Sequence, residues 1–264
     1  MSDFYYLSYQ VDRDYDLLVT LNGFPLLNGR AHGRIVNQAI LNEYLVVDRN
    51  QLCFVFPDAG DEIGGAGTLL TSQIKVFHHG QIVTPDGGTL VTLWRQPASE
   101  QPGPLPNIRE IVRPSAREGF RLCYRFDNRD YDFSARLRAP AVGVPEAQLV
   151  DYALHLVNLF LRGDVGAFLD EYAYKTADLA VAYGRHTQEV QHEVYELVSK
   201  AMRDGLAHTP AREDILVRSW CDGRIYELAI KPGRSLITTI AGDEGAMDVP
   251  IFVTLIEHRL RIIR

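Results

Sequence analysis

Residues Val144 to Met202 read VPEAQLVDYALHLVNLFLRGDVGAFLDEYAYKTADLAVAYGRHTQEVQHEVYELVSKAM, the only stretch of this 264-residue chain with sustained helical periodicity. Pro145 suits a first helical position, where its missing N–H is not needed, and Gly163 suits a left-handed stop. Between them Leu149, Tyr152, Ala153, Leu156 and Phe160 recur at helical spacing, and Val150, Leu154, Val157 and Leu161 widen the apolar arc. A largely buried helix follows, in which only Asp151, His155, Asn158 and Arg162 form a polar stripe. Asp164 can cap a second helix, with Val165, Phe168, Leu169, Tyr172, Thr176, Leu179, Ala180 and Tyr183 on its apolar side. Asp170, Glu171, Lys175 and Asp178 fall on the opposite side, and Gly184 ends it. Thr187 is expected to cap a third, amphipathic helix through Val190, Val194, Leu197, Val198 and Ala201, with Glu196 paired to Lys200. Gly205 and Pro210 close the helical block.

Outward toward the C-terminus the period changes from helical to alternating. Strands are expected over Ile215 to Cys221, Arg224 to Ile230, Ser235 to Ile240, Pro250 to Ile256 and Leu260 to Ile263. Asp222-Gly223 is the strongest hairpin signal, since both central positions of such a turn want positive φ, and Glu257-His258 reads as another tight turn. Helices followed by an antiparallel meander make residues 141–264 an α+β domain of three helices on an antiparallel sheet. In element order, and in its closing hairpin Phe252 to Ile262, the stretch 145–264 resembles the cone-shaped nuclear-transport-factor-2-like domains. The strand which that family places before its third helix has no counterpart here. The resemblance implies a pocket inside the cone and pairing of two copies through their sheets.

Outward toward the N-terminus, residues 1–140 read as strand after strand: Phe4 to Val11, Asp16 to Leu21, Ile35-Val36, Leu52 to Phe56, Leu69 to His78, Thr89 to Trp94, Phe120 to Phe126 and Tyr131 to Leu137. Asn22-Gly23 supplies one reversal. Many short strands without intervening helices predict an all-β sandwich or jelly roll. Val19 to Pro25, Val36-Asn37 and Leu45 to Leu52 together resemble galactose-binding-type jelly-roll modules. No cluster of exposed Trp and Tyr is assignable to sugar stacking, so carbohydrate binding does not carry over. Pro97 to Pro114, with Pro102, Pro104 and Pro106, reads as an extended loop that prolines bar from a central strand. The domain boundary is expected at Ala139 to Gly143.

The formal charge of -7 and a pI near 5.6 argue against nucleic-acid binding, which needs clustered Lys and Arg. Cys53, Cys123 and Cys221 are too few and too far apart for a disulfide framework or a CxxC metal site, and each is expected to pack as a small free hydrophobe. No basic n-region, apolar leader or membrane-length run occurs, so a cytoplasmic location without membrane contact is expected.

Asp151 and His155 lie four residues apart on one helical face, so a carboxylate there could orient an imidazole as general base. Asn158 and Arg162 continue the face, and Tyr172, Arg218, Trp220 and Glu227 complete the pocket candidates. The simpler reading is that a nearly all-apolar helix exposes its few polar residues to water. Asp12, Asp14 and Asp16 alternate as oxygen ligands do in calcium loops, but neither the sixth-position Gly nor the distal Glu follows. An echo of that segment, Asp127 to Asp132, makes turn-capping aspartates the simpler account. No GxSxG, HExxH, P-loop or dinucleotide motif occurs, and no cofactor or metal is expected.

These features lead to the expectation of a non-enzymatic interaction protein that binds a protein partner through an acidic surface, as a bacterial immunity or adaptor protein does. The alternative is a small-molecule binder or acid–base enzyme with its pocket in the C-terminal domain. A homodimer is the further expectation that the resemblance brings.

Overall fold

The structure, a computed structural model, describes residues 3–11, 15–31, 35–47, 49–57, 70–78, 80–84, 86–96, 109–110, 120–127, 132, 143–241 and 245–264. It divides into two compact units, Met1–Leu137 and Arg138–Arg264. Most of the expected strand Tyr131 to Leu137 lies outside the described residues, as do Asp12 and Asp14.

The N-terminal unit holds two antiparallel sheets. One contains β1 (Phe4–Val11), β4 (Ile35–Ile40), β6 (Leu70–Phe77) and β7 (Thr89–Gln96) in the order β4-β1-β6-β7. The other contains β2 (Tyr15–Leu21), β3 (Phe24–Ala31), β5 (Asn50–Phe56), β8 (Arg109–Glu110) and β9 (Phe120–Phe126) in the order β3-β2-β5-β9-β8. Alternation in β1 buries Tyr5, Leu7, Tyr9 and Val11. Tyr9 meets Phe54 of β5 edge to face with ring centroids 5.3 Å apart, so the inner faces of the two sheets share one core. Asn22 and Gly23 adopt φ of 55° and 82° and join β2 to β3, as the Asn-Gly pair predicts. The strand β3 was not anticipated, because Pro25 and Gly29 obscure its alternation. Two residues of the proline-rich stretch do pair, as the edge strand β8, the place that proline leaves open.

Buried asparagines hold the chain between β4 and β5. Asn50, fully buried, accepts from the Val46 amide at 2.8 Å and from Asn22 Nδ2 at 2.9 Å, and donates to the Val46 carbonyl at 2.8 Å. Asn22 in turn accepts from the Gln51 amide at 2.9 Å, so the β2–β3 turn and the start of β5 form one network.

The cysteines correct the sequence reading. Cys53 and Cys123 stand directly opposite in the β5–β9 pairing and form a disulfide, while Cys221 is a free buried thiol. Phe54 and Leu122 face the core, so by alternation the bridge lies on the other face of the five-stranded sheet, where Arg121 Nη2 approaches Cys53 Sγ at 3.6 Å. Sequence spacing could not show this pairing, since 70 positions separate two residues that only the sheet register brings together.

In the C-terminal unit α1 (Glu146–Leu161), α2 (Val165–Tyr183) and α3 (Thr187–Asp204) precede a sheet of β10 (Ile215–Trp220), β11 (Ile225–Ile230), β15 (Ile251–Ile256) and β16 (Arg259–Ile262), ordered β10-β11-β15-β16. Short pieces β12 (Arg234–Ser235), β13 (Ile237–Thr238) and β14 (Asp248–Val249) lie between β11 and β15. Leu149, Leu156, Phe160 and Phe168 from the helices pack with Ile215, Leu228, Val253 and Ile262 from one face of the sheet. Asp164 caps α2 by accepting from the Ala167 amide at 3.0 Å, and Gly184 closes it with φ 60°. Thr187 is helical and does not cap α3; His186 precedes the helix without a side-chain bond. Lys200 pairs with Asp204, not Glu196, at 3.5 Å. No helix among the described residues is long and apolar enough to cross a membrane.

Glu257 and His258 close the β15–β16 hairpin with φ of 49° and 64°, a conformation that costs a residue bearing a Cβ about 1–2 kcal/mol. His258→Gly is therefore expected to raise the stability of the C-terminal unit by about 1 kcal/mol. A denaturation midpoint at or below that of the parent would contradict this account of the turn.

Candidate functional site

The polar stripe of α1 is exposed as expected, but its members separate. Asp151 turns away from His155 and forms an ion pair with Arg212. The expected Asp151–His155 dyad is therefore absent. The carboxylate beside His155 comes instead from α2: Glu171 Oε1 stands 3.7 Å from His155 Nε2. Helical spacing places Asp151 and His155 one above the other, yet each long-range partner is offered by a different element, and those partners win.

Glu171 is the centre of the cluster. The turn at Gly163 folds α2 back along α1, which sets Tyr152 against Glu171, and the phenol donates to Oε2 at 2.5 Å. Arg261 Nη1 lies 3.7 Å from the same oxygen. Burial holds the Tyr152 phenol well above its ordinary range, and the adjacent carboxylate adds to the shift. The hydroxyl is thus a fixed donor at neutral pH. Glu171 was expected on the solvent side of α2, but its side chain is 18% exposed, because the edge strand β16 covers it.

Gln148, Tyr152 and His155 follow one another at steps of four and three on α1, and Arg259, Leu260 and Arg261 are consecutive on β16. With Glu171 they line an open cavity of about 390 Å³. Leu260 is buried and supplies its apolar floor. Two guanidinium groups against one carboxylate make the lining cationic even with His155 neutral, on a chain whose formal charge is -7. Donors outnumber acceptors here, and water has access.

The other expected pocket residues do not join it. Asn158 and Arg162 are exposed on α1 and do not line the cavity. Tyr172 is 4% exposed and stacks on Phe168 with centroids 5.2 Å apart; it is a core residue. Its hydroxyl has no hydrogen-bond partner among the described residues, and Lys175 Nζ lies 5.1 Å from the ring centroid. Tyr172 and Phe168 belong to the core between the helices and the sheet. Arg218, Trp220 and Glu227 lie on the opposite face of the sheet, where Arg218 Nη1 donates to Glu227 Oε1 at 3.1 Å and Trp220 Nε1 to Oε2 at 3.0 Å. Both oxygens of Glu227 are committed to pinning β10 to β11, so the trio is a cross-strand staple.

Asp16 is exposed on β2, and no group of three metal-ligating side chains occurs among the described residues. In the echo segment Asp127 accepts from the Arg49 amide at 3.0 Å and Asp132 from the Val47 amide at 3.4 Å. These carboxylates hold backbone amides, and the amides belong to the chain entering β5.

Sequence reasoning found His155 but not Gln148, Tyr152, Glu171, Arg259 and Arg261. The shared helical face of 148, 152 and 155 was legible; the contribution of a strand about a hundred residues later was not. No protein-family model, no curated protein and no solved structure matches this chain, so its site is read from its own geometry.

Proposed function

We propose that the chain is a binding protein whose C-terminal unit takes up a small molecule in the cavity between α1, α2 and β16. The observation that carries this reading is the convergence of Gln148, Tyr152, His155 and Arg259 around an open space with an apolar floor at Leu260. The Tyr152–Glu171 bond fixes the inner wall, and His155 and Gln148 present exchangeable donors and acceptors at the rim. Binding geometry of this kind needs no covalent step.

A library screen by ligand-observed NMR on the full chain tests the proposal. Hits are expected to lose about tenfold or more in affinity in His155→Ala and Gln148→Ala, exposed positions whose truncation leaves the fold intact. Hits that bind both variants as they bind the parent would place the ligand elsewhere.

The reading as an interaction protein for a basic protein partner, of the immunity or adaptor kind, draws on a different observation. Glu189, Glu193 and Glu196 follow one another on exposed α3, beside Tyr195 at 47% and Leu197 at 51% exposure. Arg185 already pairs with Glu193 at 2.6 Å and approaches Glu189 at 3.8 Å, which lowers the free acidity of that face. For this reason the cavity is the preferred site.

A further inference from the structure

We infer, resting on the small-molecule reading above, that the ligand of the α1–α2–β16 cavity is a small organic anion whose carboxylate or phosphate oxygens are held by Arg259. Three features lead there. Among the described residues Glu171 is the one acid of the lining, and its oxygens are engaged: Oε2 by the Tyr152 hydroxyl at 2.5 Å, with Arg261 at 3.7 Å, and Oε1 facing His155 at 3.7 Å. Arg261 forms an ion pair with that carboxylate at 3.7 Å, longer than a direct hydrogen bond. Arg259 lines the same cavity and is exposed, and its side chain has neither a hydrogen bond nor an ion pair among the described residues.

The geometry of the hairpin explains why Arg259 is available. It is the first residue after the Glu257-His258 turn, flanking buried Leu260 on an edge strand, so its backbone is fixed while its side chain forms no ion pair among the described residues. A guanidinium presents paired donors that match carboxylate and phosphate oxygens. A neutral ligand would leave this guanidinium without an acceptor beyond water. A cation would meet two like charges.

The experiment is a two-dimensional NMR titration of the full chain with succinate, with inorganic phosphate and with neutral succinamide. Succinate or phosphate is expected to shift the amides of Gln148, His155 and Arg259, with succinamide at least about tenfold weaker. The stronger of the two anions identifies the oxygen chemistry. Arg259→Gln is expected to weaken that anion about tenfold or more, and Arg259→Lys to recover part of the loss by charge alone. Far-UV circular dichroism verifies that both variants fold. Succinamide binding as well as succinate, or Arg259→Gln binding the anion unchanged, overturns the anion assignment. Silence of both anions does the same. If neutral library compounds still shift those three amides, the small-molecule reading stands without the anion; if no compound does, both fall.

Discussion

Loss of the Cys53–Cys123 bridge is expected to lower the stability of the N-terminal unit by about 4 kcal/mol, the chain-entropy value for a closed loop of this length. The bridge closes 70 residues of sequence that contain the end of β5, all of β6 and β7, and the proline-rich stretch. An unfolded chain without it gains a large number of conformations that the native sheet does not offset. The effect is also directional in the structure. Among the described residues β9 is paired on its far side to the two-residue strand β8, while on the other it pairs along its length with β5 and carries the disulfide. Paired denaturation curves with and without reductant, and for Cys53→Ser with Cys123→Ser, measure the difference. A midpoint that does not move would show that strand packing through Leu122, Tyr124 and Phe126 suffices. The same bridge bears on location, because disulfides persist in oxidising compartments and thiols are kept reduced in the cytosol. Differential alkylation of the protein drawn from its native cells reports which state it occupies, and two free thiols at these positions would accord with the cytoplasmic expectation.

Asp178→Ala is expected to cost about 3 kcal/mol, the second large effect. Arg264 is 3% exposed and its Nη1 donates to Asp178 Oδ2 at 2.6 Å and to the Ile263 carbonyl at 2.5 Å. The Phe252 amide donates to the Arg264 carbonyl at 2.9 Å, which places the guanidinium against α2 by fixing its backbone on β15. Removing the carboxylate takes from a guanidinium that is 3% exposed the charged acceptor it meets at 2.6 Å. The control is Asp178→Leu combined with Arg264→Met. If the cost in the single variant is the stranded charge, the double variant recovers most of it; a double variant as unstable as the single one would assign the loss to packing instead.

The local elements are legible in short-range residue patterns. Periodicity of 3.6 placed three helices within a residue or two of their observed limits, Gly163, Gly184 and Gly205 stopped them with positive φ, and the pairs Asn22-Gly23, Asp222-Gly223 and Glu257-His258 turned strands where expected. These features depend on residues within one or two turns of each other, so their physics is written contiguously. Element order then sufficed for a β-rich part followed by helices on an antiparallel sheet.

Which residues meet is set by long-range packing. Cys53 finds Cys123 through sheet register, Asp151 is drawn to Arg212, and His155 faces a glutamate that its own helix pattern had assigned to solvent. Arg259 and Arg261 enter the cavity because β16 is an edge strand beside α1 and α2, a placement set by chain topology. Side-chain alternation tells which face a residue takes; the neighbour across that face is fixed by pairings over tens to about a hundred residues, where burial of the whole core, not local propensity, selects the arrangement.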